Sequence, residues 1–231
     1  MPILTGATLL QRARRHADDT VEPYFITDKE MYEYLTEAER ALAVAGKLLR
    51  NVSTLDVIDH ERWLRIPTTP EIVELRTSIL IDTSQNRYKL RIIGTMDDPS
   101  TSNMDEDYSF LQPNDRLSPG RPRAIILGKR TGYAELSPIP NAAYTLEIST
   151  IDYPTNYIEN AFDEPTIGER HHQAIAIGAA LYALEGSEHE HLDAKLTSLG
   201  AAWDRALTRA AEESGHYNRE ASVVQFTNDM W

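Results

Sequence analysis

The chain has 231 residues, 41% of them hydrophobic and 26% charged, which suits one large globular domain or two small ones and excludes disorder along its whole length. Its formal net charge of -13 argues against a DNA-binding surface as the main function, because neutralising phosphates takes clustered Lys and Arg. With no cysteine there is no disulfide framework and no thiol chemistry, so His, Asp and Glu are the only ligands left for a transition metal.

No run of about 18 apolar residues spans the width of a bilayer, and the opening MPILTGATLLQRARRH lacks the h-region and cleavage site of a signal peptide. A protein that stays in the cytoplasm, with no membrane partner, is expected. Residues 1–26 form an N-terminal segment whose conformation the pattern leaves open. Its basic stretch Gln11–His16 is good for one or two helical turns before Asp18, Asp19 and Pro23 interrupt it. Thr27-Asp28-Lys29-Glu30 then has the spacing of a capping box and predicts a helix start. Met31, Leu35, Ala38, Leu42, Ala45 and Leu49 recur at steps of four and three, one stripe of a helix running to about Arg50. At about 1.5 Å per residue this is a rod of roughly 35 Å, stable only if the stripe is packed.

From Ser53 to Thr150 the period becomes strand-like. Ile79 and Ile81, then Tyr88, Leu90 and Ile92, then Tyr144, Leu146 and Ile148 alternate with polar residues. Frequent Pro and Gly, among them Pro67, Pro70, Gly128, Gly132, Pro138 and Pro140, predict short and mostly antiparallel strands in a small sandwich or open barrel. Between Gly94 and Pro122 lies an acidic stretch, with Asp97, Asp98, Asp105, Glu106 and Asp107, too long for an ordinary connection and expected as an exposed loop. Helix returns with Ala174, Ile177, Gly178, Leu181 and Leu184 on one face of about Glu169–Glu185. Leu192, Leu196, Leu199, Trp203, Ala206, Leu207 and Ala210 form one face of the next helix, with Gly186 and Ser187 at the turn between them. After Ser214 the segment GHYNREASVVQFTNDMW shows no helical period and offers aromatics for contact with another protein.

The expected fold class is therefore α+β, an antiparallel helical bundle with an inserted small antiparallel β domain. The domain plan is an N-terminal segment 1–26, a bundle of 27–52 and 168–214, a β insertion 53–167 with a long loop near 95–119, and a C-terminal arm 215–231.

Chemical sites are weak. His171-His172 and His189-x-His191 lack the helical spacing of a shared metal face, and Asp105-Glu106-Asp107 lacks the pattern of a calcium loop. Gly128-Lys129-Arg130-Thr131 has Arg123 where a phosphate loop needs its first Gly, and reads as a hairpin turn with Lys129 and Arg130 facing solvent. Ser187, His189 and Asp193 lie close in sequence without a nucleophile elbow. No catalytic, metal or cofactor residue is assigned, and no enzyme is expected.

Three features together resemble the head-to-tail adaptor, or connector, proteins of tailed bacteriophages. They are the Leu35, Ala38, Leu42 pattern of the early helix, the Gly120-Arg121-Pro122 turn leading to Pro138-x-Pro140 and Tyr144-Thr145-Leu146, and the small-residue helix Ala174 to Leu184. Their order, more than any one of them, carries the resemblance over most of residues 27–210. It implies a structural virion protein in the neck of a short-tailed phage, assembled in the host cytoplasm. Commonly twelve copies would form a ring between the portal protein and a tail nozzle or hub protein, with DNA passing through the channel without sequence-specific binding. It also implies that Gly215–Trp231 reaches the portal, with Tyr217, Phe226 and Trp231 as portal-contact candidates, and that Thr95–Pro119 faces the tail component. Two other readings stand beside it: a monomeric module gripping a peptide or sugar, and a metal hydrolase using His171, His172, His189 and His191.

Overall fold

In a computed structural model of the protein the described residues are 4–94, 118–186 and 193–225. The chain divides into two compact units, Met1–Leu49 with Tyr153–Trp231 and Arg50–Asp152. Among the described residues the first holds four α-helices, α1 (Gly6–Ala17), α2 (Asp28–Gly46), α3 (His172–Glu185) and α4 (Asp193–Gln225).

The capping box at the start of α2 is complete, since the Glu30 amide donates to Thr27 Oγ1 at 3.2 Å and the Thr27 amide donates to Glu30 Oε2 at 2.9 Å. Met31, Leu35, Ala38 and Leu42 are fully buried, as their period requires. The helix stops four residues earlier than expected. Lys47 takes the left-handed conformation at φ 48°, and the amides of Lys47 and Leu48 close back on the carbonyls of Val44 and Ala43. Ala45, beside this end, is exposed.

The N-terminal segment forms a full helix, α1, where only a turn or two was foreseen. Its last turn carries Arg14, Arg15 and His16, which suit the negative end of the helix dipole. Arg14 is buried and pairs with the equally buried Asp19; its guanidinium also donates to the Ile26 carbonyl at 2.9 Å and to Asp28 Oδ1 at 2.5 Å. Asp19 accepts from the Phe25 amide at 3.1 Å and the Ile26 amide at 3.4 Å. One arginine thus organises the whole α1–α2 connection.

α3 is buried over most of its surface, with Ile175, Ala176, Ala179, Ala180, Leu181 and Leu184 inaccessible or nearly so, Ala174, Ile177 and Tyr182 half-buried, and Gln173 and Glu185 near its two ends exposed. A helix apolar all round is a central helix, not the amphipathic half of a hairpin. Its Gly178 permits close approach, since a Cβ there would lie 2.7 Å from the Trp203 ring of α4. α4 continues past Ser214 to Gln225, so most of the expected arm is helical in backbone.

Among its described residues the second unit has ten strands: β1 (Arg50–Val57), β2 (Trp63–Arg65), β3 (Ile72–Ile81), β4 (Arg87–Lys89), β5 (Arg91–Ile93), β6 (Pro119–Gly120), β7 (Ala124–Arg130), β8 (Tyr133–Ser137), β9 (Ile139–Pro140) and β10 (Tyr144–Asp152). They form two four-stranded sheets, β1-β10-β3-β4 and β2-β8-β7-β5, and the pair β6-β9. Both larger sheets feed one apolar core, which includes Leu80, Leu146 and Ile148 from one and Ile125, Leu127 and Leu136 from the other.

The expected fold class is overturned. The molecule is not a helical bundle carrying a small antiparallel insertion: the described residues include ten strands in three sheets, with a core of their own, as well as four helices, and β5-β7 and β6-β9 pair in parallel. Two readings of strand pattern also change. Leu80 and Ser78, not Ile79 and Ile81, point into the core from β3. The run Tyr88, Leu90, Ile92 is two strands, because at Leu90 the chain leaves one sheet for the other, its amide donating to Ser78 and the next amide, that of Arg91, to Arg123.

Arg14→Met is expected to lower unfolding free energy by about 3 kcal/mol, because it leaves the buried Asp19 carboxylate without its cation. Urea denaturation at neutral pH measures this, and a change below about 1 kcal/mol would refute the role given to Arg14.

Candidate functional site

The segment that follows β10 is held by the helices. Thr36 of α2 donates to the Ile158 carbonyl at 3.3 Å and accepts from the Ile158 amide at 3.1 Å. Glu39, fully buried one turn further along, accepts from the Thr166 amide at 2.5 Å and the Ile167 amide at 3.1 Å. The first amides of α1, those of Gly6 and Ala7, donate to the Asp163 and Ala161 carbonyls at 2.7 and 3.0 Å, which satisfies a helix N-terminus that has no side-chain cap.

Between α2 and this segment runs an open groove of about 1200 Å³. Tyr32, Thr36 and Val44 of α2, Tyr153, Tyr157 and Ile158 of the returning chain and Tyr182 of α3 line it. Its rim is charged, with Lys29, Glu33, Glu37 and Arg40 along α2 and Glu159 opposite. The Arg40 guanidinium lies 4.6 Å from the Tyr153 ring centre, a cation over an aromatic face. The Tyr182 hydroxyl is pushed above its ordinary pKa by burial first and by the Glu37 carboxylate second. The volume exceeds the roughly 300–1,000 Å³ of a small-molecule pocket, and an open aromatic trough with a charged lip suits protein docking.

The histidines are placed differently from a metal site. His172 is buried, its Nδ1 accepting from the Leu4 amide at 3.3 Å and its Nε2–H facing the Ile167 carbonyl at 3.0 Å. His171 accepts from Arg170 Nε at 3.1 Å, and burial followed by the Arg170 charge holds its pKa below the ordinary value. Both are joints of the helical unit. His189 and His191 lie outside the described residues, as do Ser187 and Asp105-Glu106-Asp107. Among the described residues no group of three or more His, Cys, Asp or Glu is placed to hold a metal ion.

Gly128 sits within β7, at an irregularity of its pairing with β8, and the hairpin turn is Thr131-Gly132, where Gly132 supplies φ +74°. Lys129 and Arg130 are exposed, as expected, and each also has a partner: Lys129 pairs with the buried Glu135 at 2.6 Å and Arg130 covers the Tyr133 ring at 4.1 Å. Of the portal-contact candidates, Tyr217 falls in the helical backbone of α4, while Phe226 and Trp231 lie outside the described residues. The expected tail-facing stretch Thr95–Pro119 lies outside them except for Ser118 and Pro119. The groove itself was missed by sequence reading; its tyrosines come from segments more than a hundred residues apart and share no local period.

What the described residues offer is an open aromatic groove with a charged rim and histidines that serve packing. The chain belongs to the SU10 adaptor protein family, whose model matches residues 4–226, and it is a phage head-to-tail structural adaptor. The match spans both units and the whole of α4. Comparison with the curated proteins gave no match. Among the described residues no helix is long and apolar enough to cross a membrane.

Glu39 gives this region a pH dependence. Burial raises its pKa from 4.5 to about 7 against the opposing pull of the two amide hydrogen bonds, and its Oε2 has no partner. A carboxyl that binds its proton more tightly in the folded state stabilises fully below about pH 4.5, and that contribution is lost as pH rises through 7. We expect the melting temperature to fall between pH 5 and pH 8 by an increment that Glu39→Gln removes. Parallel curves for the two proteins would contradict this.

Proposed function

We propose that the protein is one subunit of a closed ring in the virion neck, seated between the portal and the tail of a short-tailed phage, through whose channel DNA passes without sequence-specific binding. The observation that carries this is the family match across residues 4–226, which leaves neither unit outside the adaptor. Family membership implies portal and tail proteins, such as a nozzle or hub, as its partners. A heterologous contact repeated by rotation closes into a ring, and we propose twelve copies, the number the family resemblance implies. The net charge of -13 favours DNA passage, because like charge limits sticking within about 10 Å of the wall at physiological salt. Assembly takes place in the host cytoplasm.

Size-exclusion chromatography of the protein mixed with purified portal rings tests the proposal. We expect it to shift into the portal peak with several copies per ring, even if it is monomeric alone. A protein that stays in its own peak at all mixing ratios would refute it.

In this reading the C-terminal arm, residues 215–231, attaches to the portal, with Tyr217, Phe226 and Trp231 as its anchors, since aromatic side chains carry a large share of interface energy. Ser214 is buried in the helical unit, so the chain is best cut after it. The truncated protein should keep a melting temperature close to that of the full chain and lose portal attachment. Phe226→Ala and Trp231→Ala should each weaken attachment about tenfold or more, the scale of an interface hot spot. Unchanged attachment of the truncated chain would remove the arm from the interface.

A further inference from the structure

The groove rim and the outer face of α4 carry matching charge patterns. Along α2, Glu33, Glu37 and Arg40 follow one another at steps of four and three and lie on the face turned away from the helical core. Along α4, Arg205, Arg209 and Glu212 follow at the same two steps, all three exposed, on the face opposite Leu199, Trp203 and Ala210. At each of the three positions the signs are opposite. Both helices rise about 1.5 Å per residue, so when they run side by side in the same direction all three pairs meet in one register. The exposed positions of α4 in line with these charges, Ala194, Ser198, Ala201 and Thr208, are small and let it approach a groove wall closely.

The same face cannot meet the same groove within one chain, because α4 is fixed by its inner side: Trp203 packs edge-on against Tyr182 with ring centres 6.1 Å apart, and Leu199 and Ala210 are buried in the core. A second copy presents an identical outer face. We infer that α4 of one copy docks along the α2 groove of the next, with Arg205 against Glu33, Arg209 against Glu37 and Glu212 against Arg40, and that this contact closes the ring. The inference rests on the ring reading above and names its interface. Two of the existing pairs on these faces, Lys29–Glu33 at 3.7 Å and Arg209–Glu213 at 3.4 Å, are single-helix surface pairs that exchange readily, while Arg40 already lies over the Tyr153 ring at 4.6 Å and would meet Glu212 from there. Local pairing also answers the mutual repulsion of copies that each carry a charge of -13.

Charge reversal in the full chain tests it, read as ring assembly on portal rings. Glu33→Arg with Glu37→Arg should reduce assembly at least tenfold, and so should Arg205→Glu with Arg209→Glu, while each protein alone keeps the wild-type melting temperature. A mixture of the two variants should recover assembly, because each then presents to the other the charge that it lacks, and the fourfold variant should recover it in one chain. Should either double variant unfold, the single pair Glu37→Arg and Arg209→Glu takes its place in the same scheme. Normal assembly by a reversed variant, or folded variants that neither the mixture nor the fourfold change restores, would overturn the interface while leaving the ring standing. A wild-type protein that forms no ring would overturn both.

Discussion

The helical unit depends on how its two halves are rejoined. α2 ends at Gly46 and the chain comes back only after Asp152, so the core shared by α1, α2, α3 and α4 needs the returning strand of chain to be held in place. Three polar contacts do this. Thr36 binds both backbone groups of Ile158, Glu39 binds the amides of Thr166 and Ile167, and the opening of α1 donates to the carbonyls of Ala161 and Asp163. Each satisfies backbone groups that would otherwise be buried unpaired, which is why so irregular a segment can lie against helices. The same clasp sets Tyr153, Tyr157 and Ile158 opposite α2 and so creates the groove. Packing and candidate interface have one cause.

Glu39 shows the tension in such a clasp. A buried carboxylate accepts two amides well, yet its second oxygen has no partner and water does not reach it. Desolvation outweighs the hydrogen bonds, and the group titrates near neutrality. The joint that rebuilds the helical unit thereby carries a pH-sensitive group.

The sequence was legible where one local signal sufficed. Thr27 and Glu30 declared the start of α2, and Met31, Leu35, Ala38 and Leu42 declared its buried face. It misled where the deciding partner lay far off. α1 has few apolar residues and is completed by Arg14, whose partner Asp19 looks like an interruption until the guanidinium joins it to Asp28 at the start of α2. α3 looks amphipathic because only a surrounding of α1, α2 and α4 explains burial that extends well beyond one face. In β3 the isoleucines suggested one face, but Leu80 on the other faces the core shared with the second sheet. Periodicity within a strand cannot say which sheet lies opposite, and parallel pairing between β5 and β7 has no short-range mark at all. The family resemblance was readable because it rests on the order of motifs, which survives such errors of face and boundary. The groove was not readable, because its walls meet only after the return from β10.

The net charge of -13 shapes how such a subunit can associate. Copies of an acidic protein come together only where charges are paired locally, and the alternating signs along α2 and α4 provide this on faces that the helical core leaves outside. Electron cryomicroscopy of the protein assembled on its portal examines the central claim most directly. A closed ring of identical subunits on the portal, with α4 of each copy lying along α2 of the next, is the result we expect; single copies scattered on the portal without lateral contact would contradict it.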